Sequence, residues 1–240
     1  MIPLFRRLLR SRPLLPSQSE PAHPFDRAHG VDTSGLYYAD RLPTGHAHDR
    51  YSEGYYATAP SLFHGAISLW VSTLAQGTGV EDYTLIDLGC GKGRVVMMAA
   101  EYPFKTVRGI DLNPELTRIA RKNLRSWTRA RSRRGRAVCR DVRIECRDAL
   151  ELEVPDGPTV LFLFNSFDEN VLRPLMERMA AAERRAPLDL IYVHPDHDRL
   201  VAATPGFELL RHAELALNDE DARADLFGVA SDMCSVYRRG

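Results

Sequence analysis

The stretch TLIDLGCGKGR, residues 84–94, limits the fold more than any other part of the chain. Thr84-Leu85-Ile86-Asp87-Leu88 has the length and apolar character of a buried strand. It opens directly into Gly89-Cys90-Gly91-Lys92-Gly93, where three glycines alternate with larger residues. GRVVMMAAEYP follows and predicts a helix closed by Pro103. A strand that turns through a glycine loop into a helix is the opening unit of a doubly wound sheet, and such loops hold nucleotide-like cofactors.

The rest of the chain continues that alternation. TVRGIDL (106–112) reads as a second strand, and the helix after it starts with Asn113 as N-cap and Pro114 at its first position, running on through ELTRIARKNLRSWTRAR. DVRIECRDA (141–149) and TVLFLF (159–164) read as strands three and four, the latter apolar throughout, as a strand covered on both faces requires. ENVLRPLMERMAAAERR is helical with a disturbance expected at Pro174, and LDLIYVH (188–194) is a fifth strand. FELLRHAELAL and DMCSVYRR read as the last two strands, with FGVAS and no convincing helix between them, which implies an antiparallel edge. The expected class is α/β: a Rossmann-like, doubly wound, mostly parallel seven-stranded sheet with an antiparallel C-terminal strand. Ahead of it, SLFHGAISLWVSTLAQ predicts an amphipathic helix stopped by Gly77. Residues 1–59 show no sustained period and read as an irregular extension, a lid over the site; residues 60–240 read as the domain.

Composition narrows the partners. Lys and Arg number 32 and so do Asp and Glu, so bulk charge names none. No apolar run approaches the roughly 20 residues of a membrane-spanning helix. Cys90, Cys139, Cys146 and Cys234 form no Cys-x-x-Cys pair, which reads as reduced thiols in the cytoplasm and no structural metal. The start, MIPLFRRLLRSRPLLPSQSE, reads as a basic terminus ended by Pro13 and Pro16, with an amphipathic surface helix or a transit-type segment as alternatives.

In a doubly wound sheet the ligand lies at the carboxyl ends of the strands. The residues there are Asp87 to Gly93, Asp111 with Leu112, Asp148 with Ala149, and Asn165-Ser166-Phe167. A nicotinamide dinucleotide wants G-x-G-x-x-G, but the sixth position from Gly89 is Arg94. No G-x-x-x-x-G-K-[ST] occurs, which excludes a P-loop. The pattern is D-x-G-x-G-x-G, and the leading Asp87 suits a ligand carrying an ammonium or sulfonium better than one carrying phosphates. A carboxylate at Asp111 can accept both hydroxyls of a ribose. Asp148 can accept from an exocyclic adenine amine while the Ala149 amide donates to a ring nitrogen.

On this loop and these acids, residues 60–240 resemble the class I S-adenosylmethionine-dependent methyltransferases. The resemblance implies that Asp87, Gly89, Cys90, Gly91 and Gly93 surround the methionine part of S-adenosylmethionine, with Asp111 and Leu112 at the ribose and Asp148 and Ala149 at the adenine. FDRAHGVDTSG (25–35), the tyrosine-rich stretch before the first helix, DLGCGKGR and FNSF look like a group of largely uncharacterised bacterial methyltransferases, loosely likened to the Dot1 type. That group carries N-P-F after strand four, where this chain has Asn165-Ser166-Phe167 without the proline.

The unidentified methyl acceptor should lie beside strand four. Asn165 could accept from an acceptor amine and Phe167 could wall a developing methylammonium, which makes both candidate catalytic residues and favours nitrogen slightly over oxygen. Tyr51, Tyr55, Tyr56 and Thr58 could close over the cofactor, Tyr56 and Thr58 touching it. His194 reads as a turn residue before Pro195 or as a base. Arg118, Arg121, Lys122, Arg125, Arg129, Arg131, Arg133, Arg134, Arg136, Arg140 and Arg143, with Trp127 among them, offer an alternative reading as an RNA methyltransferase. A non-catalytic S-adenosylmethionine-binding sensor or scaffold is the alternative of another class.

Overall fold

A computed structural model describes residues 22–51, 53–132 and 139–239. The basic start of the chain, and Arg133, Arg134 and Arg136, lie outside the described residues. The elements are α1 (Pro24–His29), β1 (Leu36–Tyr37), β2 (Tyr55–Tyr56), α2 (Pro60–Val71), β3 (Thr84–Leu88), α3 (Arg94–Ala99), β4 (Thr106–Asp111), α4 (Pro114–Ser132), β5 (Val142–Cys146), β6 (Thr159–Phe164), α5 (Glu169–Ala181), β7 (Leu188–Val193), α6 (Asp198–Ala202), β8 (Phe207–Ala216), α7 (Asp219–Ala224) and β9 (Ser231–Arg239).

The large sheet has the order β5-β4-β3-β6-β7-β9-β8. The pairs β3–β4, β3–β6, β4–β5 and β6–β7 are parallel, while β9 pairs antiparallel with β7 and β8. The expected Rossmann-like sheet with an antiparallel C-terminal edge is the observed one. Every residue of β3 and β7 is buried, which is why those segments are apolar without alternation. Side chains split between two cores by parity. Leu85, Val160, Phe162 and Ile191 pack with Phe63, Ile67 and Trp70 of α2 on one face. Ile86, Leu88, Leu161 and Leu163 pack with Leu172, Leu175 and Met176 of α5 on the other. The order reverses between β3 and β6, so their carboxyl ends splay apart and open a crevice.

Local departures from the sequence expectations have physical causes. α2 ends at Val71, six residues before Gly77, and α3 ends at Ala99, before Pro103. α5 runs through Pro174, because Val171, Leu172, Leu175, Met176 and Met179 hold it against the sheet. A short helix, α7, does lie between β8 and β9; Asn218 caps it by accepting from the Asp221 amide at 2.8 Å, and the buried Asp221 accepts from the Ser61 amide at 2.6 Å. Residues 22–59 are not wholly irregular: they hold α1 and a small antiparallel pair, Leu36 opposite Tyr56 and Tyr37 opposite Tyr55.

Candidate functional site

The site begins where β3 stops. The amides of Gly89 and Cys90 both donate to the Ile110 carbonyl, at 2.8 and 2.9 Å, which folds the loop back toward β4. Gly89 has φ +76°, and a Cβ there would come within 2.4 Å of the Ser166 hydroxyl. Gly91 has φ +51°, and a Cβ there would strike the Tyr55 ring at 2.2 Å. The alternating glycines therefore admit two neighbours, the loop after β6 and the extension. Gly93 caps α3 and faces Ala120 of α4.

A cleft of about 1040 Å³, part of it open solvent, lies over this loop. Asp87, Gly89, Cys90, Asp111, Leu112, Asp148, Ala149, Tyr56, Thr58 and Phe167 all line it, whereas Gly91, Gly93 and Asn165 do not. Asp87 is 3% exposed, and its Oδ2 has no hydrogen-bond partner among the described residues. Burial, reinforced by the neighbouring Asp111, pushes its carboxyl well above the usual range. Asp111 accepts from the Gly91 amide through Oδ2 and from the Asn113 amide through Oδ1, both at 2.8 Å. Burial outweighs those two bonds and lifts its pKa to about 6. Asp148 accepts from the Leu150 amide at 2.8 Å and meets His48 Nδ1 at 2.6 Å. Cys90 is buried and its thiol is pushed up by burial and by Asp111 and Asp87, which argues against a nucleophile.

The extension is fastened to the glycine loop from behind. The Lys92 ammonium donates to Asp32 Oδ1 at 2.9 Å and to the Ser34 carbonyl at 2.7 Å. Arg94 is 4% exposed and donates to Thr33 Oγ1 at 2.7 Å, with Asp26 at 3.8 Å. Asp26 in turn accepts from the Thr33 and Ser34 amides at 2.7 Å. Asn123 of α4 closes the joint by accepting from the Asp32 amide and donating to the Asp32 carbonyl. Arg94, which displaces the third dinucleotide glycine, is thus the anchor for FDRAHGVDTSG.

The following segment then crosses the cleft. Leu42, Thr44, His48, Asp49, Glu53 and Gly54 line it, none of which sequence reasoning singled out. At its far end the Glu53 amide donates to the Ser166 carbonyl at 3.3 Å and the Asp168 amide to the Tyr51 carbonyl at 3.1 Å. The only sequence signal for this strap was the tyrosine-rich stretch. Tyr56 donates to Asp225 at 2.9 Å and, with Thr58, lines the cleft.

Asn165 as a catalytic residue, the alternative of His194 as a base, and Trp127 as an aromatic open to RNA need correction, while the reading of His194 as a turn residue fits its positive φ. Asn165 turns away from the cleft: its Oδ1 accepts from Tyr192 OH at 3.2 Å and its amide donates to Asp196 at 2.9 Å, with its backbone at φ +40°. His194 also stands outside the cleft lining, at φ +52°, with Nδ1 2.9 Å from Asp232. Burial works against its charge, but the hydrogen bond and charge of Asp232, with Asp196 behind it, outweigh burial and raise its pKa. Trp127 is 1% exposed, packed in the core under the Arg131 guanidinium, and offers no face to a base. Several of the basic side chains are answered: Arg118 by Glu115, Arg131 by Glu101, Arg143 by Asp141, and Arg121 by the Ile144 carbonyl.

Residues 85–186 match the family model described as a methyltransferase domain. Over that stretch the chain is similar to a methyltransferase domain. The match, the fold and the cleft agree with the expectation of a methyltransferase. The match runs from β3 past the end of α5, so the extension and β7 to β9 lie outside it. The fold is similar to that of a putative S-adenosylmethionine-dependent methyltransferase from Listeria monocytogenes, at 13% identity and TM-score 0.50, covering 75% of this chain and 99% of that one. An RNA methyltransferase from Salinibacter ruber, in complex with S-adenosyl-L-homocysteine, aligns at 20% identity and TM-score 0.46, over 76% of this chain and 92% of the other. The Listeria likeness speaks for the fold alone. No curated protein matches the sequence. No helix among the described residues is long and apolar enough to cross a membrane.

Proposed function

We propose that the cleft holds S-adenosylmethionine with Asp87, Gly89 and Cys90 at its methionine part, Asp111 and Leu112 at the ribose, and Asp148 and Ala149 at the adenine. One observation carries this reading: a buried carboxylate, Asp87, keeps an oxygen without a partner while facing a glycine-lined cleft. A positive ligand answers that oxygen; a pyrophosphate would add charge to a cleft already lined by Asp49, Glu53, Asp87, Asp111 and Asp148. The cofactor supplies a methyl group already activated on a sulfonium, so what remains for the chain is positioning and the exclusion of water. Residues 42–58 act as the lid that excludes it.

The acceptor enters beside Phe167 and Ser166, and nitrogen is favoured. The preference rests on the Phe167 ring and on Glu53, both of which line the cleft, and not on Asn165, whose amide is engaged. Glu53 is the candidate to take a proton from an acceptor amine. The likeness to Dot1-type enzymes concerns the cofactor half and does not choose the acceptor. The RNA alternative loses its interleaved aromatic, since Trp127 is a core residue. Four free cysteines accord with work in a reducing compartment such as the cytoplasm.

Calorimetric titration with S-adenosylhomocysteine, with NAD as control, tests the cofactor assignment. Saturable binding of the first alone is expected, and binding of NAD instead would overturn it. Turnover of S-adenosylmethionine with cell extracts then separates the enzyme from a non-catalytic sensor.

A further inference from the structure

Three side chains that no step above brings together meet at the adenine end of the cleft. Thr44 to Asp49, TGHAHD, forms a tight turn. Asp49 accepts from the Thr44 and Gly45 amides at 2.8 Å and from the Thr44 hydroxyl at 2.5 Å. Thr44 Oγ1 in turn accepts from the His46 amide at 3.1 Å. The turn is therefore braced from within, and it carries two imidazoles one residue apart, their ring centroids separated by 5.0 Å. Facing them is Asp148, with His48 Nδ1 at 2.6 Å and His46 Nδ1 at 3.9 Å. One ligand atom from each of the three lies within 4.8 Å of the others.

We propose that His46, His48 and Asp148 form a site for a divalent ion of the zinc class. Two imidazoles and a carboxylate are the donor set that suits zinc, and imidazole ligands select against magnesium and calcium. Tetrahedral bonds of about 2.0–2.2 Å place ligand atoms roughly 3.4 Å apart. The His48–Asp148 contact has to open by roughly 0.8 Å and the His46–Asp148 contact to close by roughly 0.5 Å to reach that spacing. Both changes lie within the reach of side-chain rotation. His46 Nδ1 accepts from the His48 amide at 3.2 Å, so binding either gives up that contact or turns the ring to offer Nε2. Asp148 Oδ1 keeps its bond from the Leu150 amide, which orients the carboxylate from behind. His46 is 41% exposed and provides the way in. The ion replaces the hydrogen bond between His48 and Asp148.

A consequence rests on the cofactor reading above. Asp148 is wanted by the adenine amine and by the ion, so metal and cofactor exclude one another at this end of the cleft.

The test uses the full chain without a histidine tag. Zinc chloride alone is titrated calorimetrically, and cobalt(II) is added in parallel to read tetrahedral absorption bands. The expected result is one saturable site, weakened at least tenfold in His46→Ala and in His48→Ala. His46 does not line the cleft, so His46→Ala should keep its melting temperature and its affinity for S-adenosylhomocysteine. Absence of saturable binding, or binding untouched by His46→Ala, overturns the site. Prior saturation with S-adenosylhomocysteine should abolish zinc binding; simultaneous binding of both at full affinity overturns the exclusion. If zinc binds through His46 while S-adenosylhomocysteine fails to bind at all, the metal site stands and the cofactor assignment falls.

Discussion

At the carboxyl ends of β3 and β4 the chain places one buried carboxylate, Asp87, and one half-buried, Asp111, and leaves an oxygen of Asp87 unanswered. At the ends of β6 and β7 it places an amide and an imidazole and gives each partners from within: Asn165 has Tyr192 and Asp196, and His194 Nδ1 has Asp232. The two regions sit side by side on one sheet edge yet treat polar groups in opposite ways. An unanswered buried charge raises the free energy of the empty site and waits for a ligand. A satisfied network does the reverse. It holds two residues at positive φ in place and so fixes the loop that carries Ser166 and Phe167.

Asp87→Asn is the sharpest way to break that contrast. It should weaken S-adenosylmethionine binding by roughly 2–3 kcal/mol, as charge-assisted contacts are lost, while raising the melting temperature of the ligand-free protein. Calorimetry and thermal melts read the two effects, and a melting temperature that falls with unchanged affinity would show Asp87 to be structural. Asp111→Ala should cost binding roughly 1.5–3 kcal/mol, and an unaltered affinity would remove the ribose assignment. On the answered side, Asn165→Ala should cost about 1–2 kcal/mol of stability, because Tyr192 and Asp196 lose their partner, with S-adenosylhomocysteine affinity unchanged. Denaturant midpoints measure the first, and a collapse of affinity in a stable variant would return Asn165 to the site.

The smallest effect is in pH dependence. Asp111 binds its proton more tightly folded, near pH 6, than at the ordinary value of 3.8, so the ligand-free protein should lose stability as pH rises between those values. Asp87 acts in the same direction. His194, also raised, contributes stability that is present below pH 6.5 and lost as pH rises through its folded value. Asp232→Asn should remove only the His194 component, and saturating S-adenosylhomocysteine should flatten only the carboxylate component. Melting temperatures across pH 4–8 separate them.

The acids that line the cleft were legible as strand-end residues because an apolar run such as TLIDL or TVRGIDL fixes where its strand stops, and the next polar residue then has one place to be. The acceptor end was not, because a residue after a strand can turn either way, and Asn165 turned toward Tyr192. Trp127 misled for a similar reason: Arg125 and Arg129 are on the outer side of α4 while the ring itself, with Arg131 over it, lies inward. α7 was too short to show a period and is held by a single buried carboxylate. The strap over the cleft was hidden most deeply. Its anchors, Lys92 and Arg94, looked like interruptions of a glycine pattern, and their partners lie about 60 residues upstream.

That separation sets an order of events during synthesis. Asp32 and Thr33 leave the ribosome before the cations that will receive them exist, since Lys92 follows Asp32 by 60 residues and Arg94 follows Thr33 by 61. At roughly 5–20 residues per second, the segment stays undocked for about 3 to 12 s. During translation FDRAHGVDTSG therefore lacks its contacts to Lys92 and Arg94 until the glycine loop emerges.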